Sequence, residues 1–290
     1  MKREHLWGPI VPILIGTLVS LGSAQPPSGV SSKDQEPIQR KKSVRFWGEF
    51  YNESTSSRRN RDNLISLSHV KQGLRIDPLS GSKVEMYLLL RYGKDLHKDF
   101  WNNRVEAGVG LRGNADRWEF LIAYLEWIWG HYVRVPEDHP QPSERNYIDV
   151  CSGLSLWYAW SRSLSTSLLG SFPLRLWGQF YADVSYSRSQ GDNVVGYVDA
   201  RWGPHLFRLW GLSADGYGVV YLTKDINKDF WSNKAEMGPG IWLKPIPRLD
   251  LRFSAEWIHG YYFGIEGKDP NPYPQHYRDR RAGLTLWVGW

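Results

Sequence analysis

In LDLRFSAEWIHGYYF, residues 249–263, Leu249, Leu251, Phe253, Ala255, Trp257, Tyr261 and Phe263 fall on one face, and Asp250, Arg252, Ser254, Glu256 and Gly260 on the other. Period two is the alternation of a β-strand with two unlike faces. The stretch 119–133 has the same form, with Leu121, Ala123, Leu125, Trp127 and Trp129 opposite Tyr124, Glu126 and Gly130. Strands of soluble sheets usually run to about 5–6 residues, whereas a tilted strand crossing a membrane needs about 9–11. These segments are long enough for the second class.

The two stretches lie 130 residues apart, and the offset extends much further. RFWGEFY at 45–51 falls on RLWGQFY at 175–181, KDFWNNRVEAGVG at 98–110 on KDFWSNKAEMGPG at 228–240, and GLSLWYAW at 153–160 on GLTLWVGW at 283–290. Residues 46–160 align with 176–290 without a gap, the mark of a duplicated unit longer than a solenoid or propeller-blade repeat. Periodicity predicts six strands in the first unit, at 44–54, 63–76, 83–93, 103–113, 118–133 and 146–160, and adding 130 predicts the other six. The expectation is an all-β fold, an antiparallel transmembrane β-barrel of twelve strands built from two six-strand repeats, 43–160 and 174–290, joined by a linker at 161–173.

The connections alternate in the same sense. NESTSSRRNRD (52–62), GKDLHKDFWNN (93–103) and RVPEDHPQPSERN (134–146) are long and polar, while DPLSGS (77–82) and GNAD (113–116) are short. Outer-membrane barrels have long extracellular loops and short periplasmic turns, so both ends of the barrel segment are expected on the periplasmic side. Ahead of it, Lys2 and Arg3, an apolar run from Ile10 to Leu21 and small residues at Gly22 and Ala24 have the pattern of a secretory signal peptide, expected over 1–24. Residues 25–42, rich in Pro, Ser and charge, are expected to be a disordered periplasmic tether.

Composition changes this picture little. Sixteen Trp, sixteen Tyr and ten Phe suit either a soluble core or the aromatic girdles of a membrane barrel. Formal charge is +6, and falls to +5 when Lys2, Arg3 and Glu4 leave with the signal. That mild excess is spread along the chain, with no basic cluster of the kind that binds nucleic acid. A single cysteine, Cys151, excludes an intrachain disulfide.

The closing strand RAGLTLWVGW puts Ala282, Leu284, Leu286, Val288 and the terminal Trp290 on one face, which resembles the signal that the barrel assembly machinery recognises. Together with EWIHGYYF and the polar loop before YRDRR, it also resembles the C-terminal barrel of the phage adsorption protein A (NfrA-like) and exopolysaccharide-export outer-membrane barrels, over roughly the last 60–100 residues. That resemblance implies an outer-membrane channel or surface receptor, with polysaccharide or phage as partners beside the membrane lipid and lipopolysaccharide.

Polar positions shared by the two units supply the candidate residues. Arg45 and Arg175, Glu106 and Glu236, and Glu126 and Glu256 occupy the polar phase of their strands, and are expected to face the lumen either as a pore lining or as a packed network of paired charges. Gly108, Gly110, Gly238 and Gly240 share that face and leave space for a pore or for another side chain. Lys94, Asp95, Lys98 and Asp99, with Lys224, Asp225, Lys228 and Asp229, stand at the outer end of the third strand and its copy beside Trp101 and Trp231. They could bind a surface glycan or phage, or form a solvated salt-bridge cluster with interface-anchoring Trp.

A lipid-modifying enzyme in the same fold is the competing class. His97, His131, His139, His259 and His276 lie near expected outer ends, but none is repeated at the offset, and neither a nucleophile elbow nor metal-ligand spacing is present. No cofactor, no metal and no catalytic residue is therefore expected. A soluble β-rich carbohydrate-binding protein is the third possibility.

Overall fold

A computed structural model describes residues 43–59, 62–77, 82–115, 120–133, 142, 144–164, 174–228, 232–246, 248–263 and 275–290. The expected signal peptide and tether, 1–42, lie outside the described residues. Twelve strands follow in chain order: β1 Ser43–Ser57, β2 Asn63–Asp77, β3 Ser82–Asp95, β4 Arg104–Ala115, β5 Leu121–Tyr132, β6 Asn146–Leu164, β7 Leu174–Ser187, β8 Asn193–Leu209, β9 Leu212–Asp225, β10 Lys234–Lys244, β11 Asp250–Tyr262 and β12 His276–Gly289. Each pairs antiparallel with its chain neighbours, and β1 pairs with β12, closing the barrel. At the seam Gly48 and Trp290 exchange backbone hydrogen bonds of 2.9 and 3.0 Å. Closure leaves no edge strand, the only way a sheet can satisfy all its backbone groups inside a bilayer.

Two boundaries differ from the sequence expectation for a physical reason. NESTSS, expected in a loop, continues β1 to Ser57, because Asn52 to Ser57 are paired on both sides, with β2 and with β12. Its polarity hides the strand, since neither face there carries the usual apolar row. Likewise β3 runs on to Asp95, paired with Ile65, and the following loop holds a short 3-10 turn at Phe100–Asn102. At the opposite end β8 and β9 are joined by two residues, Trp210 and Gly211, both at positive φ (48° and 91°), the type I′ geometry that matches strand twist. Positions 165–173 of the expected linker are outside the described residues, while β6 extends through Leu164.

The pleat sorts the side chains. Leu88, Leu90, Val109, Leu125, Trp127, Trp129, Phe253 and Trp257 point outward and are exposed. Between them, Leu89, Glu106, Glu126, Ile128, Glu236, Glu256 and Ile258 point inward and are buried. An exposed apolar exterior round a polar interior is the inverse of a soluble protein and the arrangement of a transmembrane barrel.

The inward glycines are filled positions. A Cβ on Gly110 would lie 2.4 Å from the Tyr87 ring, and one on Gly240 would lie 2.5 Å from the Tyr217 ring. The same arrangement places Tyr147 on Gly130 and Tyr277 on Gly260. These tyrosines lie flat against the wall, so the small residues serve ring packing. Inward apolar clusters accompany them, Trp47, Tyr87, Leu89 and Ile128 in one half and Trp177, Tyr217, Val219, Trp242 and Ile258 in the other.

Candidate functional site: the lumen wall

Four carboxylates form the centre of the lumen wall, and each is received by a tyrosine lying over a glycine. Glu126 of β5 accepts hydrogen bonds from Tyr87 Oη (2.7 Å) and Arg91 Nη2 (2.5 Å) of β3, and Lys71 Nζ of β2 stands at 3.2 Å. Glu106 of β4 accepts from Tyr147 Oη of β6, with Arg104 Nε at 3.4 Å and Arg91 Nη1 at 3.7 Å. In the second half Glu256 accepts from Tyr217 and Tyr221 Oη, both at 2.9 Å, with Arg201 Nη2 at 3.8 Å. Glu236 accepts from Tyr277 Oη and from Arg281 at 2.5 and 3.0 Å, with Lys234 Nζ at 3.7 Å. Charged acceptors buried in this way need such partners, and each of the four has a tyrosine and a cation, although Glu106 Oε2 makes no hydrogen bond and has only Arg91 at 3.7 Å.

The carboxylates and tyrosines recur at the 130 offset, but the cations are distributed differently. Arg91 is shared between Glu126 and Glu106, and its counterpart is Tyr221. Arg281 on Glu236 stands where the first half has Cys151. In the first half Arg91 thus lies between two carboxylates, with Arg104 also on Glu106; in the second, Arg201 and Arg281 each meet one carboxylate. Below this layer Glu85 receives Arg75 and Arg112, Arg112 lies over the Trp47 ring at 4.1 Å, and Arg201 and Arg252 lie over Trp242 at 4.9 and 4.7 Å.

Arg45 and Arg175 share the inward phase of Trp47 and Trp177, but they sit at the starts of β1 and β7 and are exposed there. Arg45 lines a cavity of about 370 Å³ with Trp47, Glu49, Arg75, Arg112 and Trp290. They are not brought together with the four central glutamates by any contact described above.

The charged residues expected at the outer end of β3 divide into two groups. Asp95 is buried and accepts from Asp99 N (3.1 Å), Asn102 Nδ2 (2.8 Å) and Asn103 Nδ2 (2.9 Å), while Asn103 Oδ1 accepts from Asp95 N. Asp225 repeats this with Asn233 Nδ2 at 2.6 Å and Asn193 Nδ2 at 3.2 Å. These two aspartates pin the loop bases. Lys98, Lys224, Lys228 and Trp101 are exposed and Lys94 and Asp99 are half-buried; Asp229 and Trp231 lie outside the described residues.

Among the expected histidines, His131 Nδ1 meets Asn146 Oδ1 at 2.7 Å and His276 packs on Tyr261 with ring centroids 4.8 Å apart. His139 lies outside the described residues. Among the described residues no group of His, Cys, Asp and Glu has the geometry to hold a metal ion.

A closed barrel of twelve antiparallel strands, with an apolar exterior carrying exposed Trp and a charged interior, has one stable environment. The chain is a bacterial outer-membrane β-barrel. No protein-family profile matches the sequence, and no curated protein matches it. Solved structures that it is similar to include the β domain of the Bordetella autotransporter BrkA, at TM-score 0.39 and 14% identity over 83% of this chain and 97% of that one. LpxR from Salmonella typhimurium gives 0.35 and 11% over 82% and 99%. Pseudomonas aeruginosa OpdQ gives 0.31 and 9% over 86% and 99%. At this level of likeness no property of those proteins transfers to this outer-membrane barrel.

Proposed function

We propose that the barrel is a narrow, water-lined channel for small hydrophilic solutes. One observation carries this reading: the carboxylates are recessed in the wall, while the cations above them are partly exposed although they point inward. Glu126, Glu236 and Glu106 side chains are 2–5% exposed, against 25% for Arg91, 29% for Lys234 and 31% for Arg104. In a closed sheet an inward side chain can be exposed only to the interior space, so water and solute meet the cations.

Inward aromatic rings support a narrow bore. Tyr51 of β1 stacks on His69 of β2 with ring centroids 5.2 Å apart, and Tyr181 of β7 lies 6.0 Å from Tyr197 of β8. These rings project into the interior from β1 and β2 and from β7 and β8, and narrow it. Purified barrel reconstituted in liposomes is expected to admit monosaccharides and amino acids in a swelling assay, with uptake falling off steeply for oligosaccharides. Absence of swelling with the smallest solute, from correctly folded protein, contradicts the channel.

A receptor reading has a separate support. Leu96, Trp101 and Ile226 are exposed on loops whose bases Asp95 and Asp225 hold rigid, a form suited to contact with a glycan or a phage tail, as the NfrA-like resemblance implies. Loss of phage or polysaccharide binding on Trp101→Ala, with swelling retained, favours that role.

A further inference from the structure

The outward face of the β11–β12–β1 seam carries charge that the fold does not use. Arg278 and Arg280 alternate along β12 with the inward Tyr277, Asp279 and Arg281, so they point outward, about 7 Å apart as next-but-one residues of a strand. Arg58 is joined to Arg280 by a 3.1 Å backbone hydrogen bond on one side, and Trp257 faces Arg280 in the register on the other. All three arginines are exposed, and none is in an ion pair among the described residues. The carboxylate between them in sequence, Asp279, points inward and is taken up by Ser57 Oγ, Arg59 N and Arg281.

Immediately below, toward the middle of the barrel, the lipid-facing side of β1 and β2 is polar. Asn52 Nδ2 donates to Ser68 Oγ at 2.7 Å, and Ser54 Oγ bonds Ser66 Oγ at 2.9 Å. Asn52 and Ser54 face Leu286 and Leu284 of β12, so the polar strip borders an apolar one. In the other half of the barrel the positions 130 residues away hold the opposite chemistry. Ala182, Val184, Gly196 and Val198 replace Asn52, Ser54, Ser66 and Ser68 in the same register, and Ile148 and Val150 replace Arg278 and Arg280. Neither Arg278 and Arg280 nor the hydroxyl strip is therefore required to make this fold, while Arg58 has an arginine counterpart, Arg188. Both are expensive against hydrocarbon unless they meet a polar partner.

Three unpaired arginines above a strip of hydroxyl and amide groups, with Leu284 and Leu286 beside that strip, match a lipid with anionic groups at the top and, beneath them, linkage carbonyls and hydroxyls next to acyl chains. The longest connections between strands, after β5 and β11, set this end on the cell exterior, where the outer leaflet supplies such a molecule. We propose that Arg58, Arg278 and Arg280 bind the phosphates of lipid A, the membrane portion of lipopolysaccharide, and that Asn52, Ser54 and Ser68 bind its acyl-linkage carbonyls and hydroxyls. Guanidinium groups suit this ligand because they pair with phosphate through two parallel hydrogen bonds.

The test is native mass spectrometry of the folded barrel in detergent with bis-phosphorylated lipid A, dephosphorylated lipid A and inorganic phosphate as probes. Wild type is expected to retain bis-phosphorylated lipid A at least about tenfold better than the dephosphorylated form, with no displacement by millimolar phosphate. The combination Arg58→Gln, Arg278→Ile and Arg280→Val, two of whose residues the other half already carries, is expected to abolish that preference. If that combination does not fold, Arg280→Gln alone is expected to reduce it several-fold. Asn52→Ala with Ser54→Val and Ser68→Val should weaken both lipid forms alike. Equal retention of the two forms, full competition by inorganic phosphate, or an arginine variant with wild-type preference would each overturn the proposal.

Discussion

Replacing Glu126 by alanine is expected to destabilise the barrel by about 3–5 kcal/mol, the cost of leaving buried charge without its partner. Glu126 is 1% exposed and receives Tyr87, Arg91 and Lys71 together. Its removal leaves Lys71 without a counter-ion at ion-pair distance among the described residues and Arg91 with only Glu106 at 3.7 Å. The measurement is a urea titration of Trp fluorescence on barrels refolded into lipid vesicles. Adding Lys71→Met and Arg91→Met to Glu126→Ala is expected to recover much of the loss, because the uncompensated cations are then gone. A loss below about 1 kcal/mol for the single substitution contradicts the description of the wall as a set of mutually dependent ion pairs.

The second large effect lies on the other face. Leu88, at the middle of β3, is 64% exposed and points outward between Met86 and Leu90. On a soluble protein, replacing an exposed leucine with arginine changes stability by less than about 0.5 kcal/mol. At the lipid face of a barrel near the midplane the same change costs about 2–4 kcal/mol. Leu88→Arg is accordingly expected to fold in detergent and to lose about that much in vesicles by the same titration. Equal stability in vesicles would remove Leu88 from the hydrocarbon and with it the placement of the belt formed by Leu88, Leu90, Val109 and Trp127.

Sequence periodicity located β5 and β11 well because Trp127 and Trp257 alternate with Glu126 and Glu256, so that one wall face is greasy and the other charged. It missed the end of β1, where Asn52, Ser54 and Ser56 face outward and Glu53, Thr55 and Ser57 inward, and no alternation of polarity exists to be seen. For the lumen wall, the 130-residue offset brought out the four glutamates, and the matching pairs Tyr87 with Tyr217 and Tyr147 with Tyr277 carried the same signal for their hydrogen-bond donors. The cations were less legible. Arg91 has Tyr221 as its counterpart and Arg281 has Cys151, and only the register that sets Arg91 beside Glu106 reveals that this arginine lies between two carboxylates. Asp95 and Asp225 look like solvated loop charges in KD dipeptides, because the Asn103 and Asn233 side chains that enclose them are brought close only by the folded loop.

The channel itself is tested most directly by adding the purified, folded barrel to a planar lipid bilayer under an applied voltage in molar potassium chloride. The partly exposed cations of the wall and the recessed glutamates predict discrete, reproducible conductance steps, small because Tyr51 and Tyr197 project into the interior. Insertion of folded protein with no current above the bare bilayer would contradict it, and would mean that the interior is sealed.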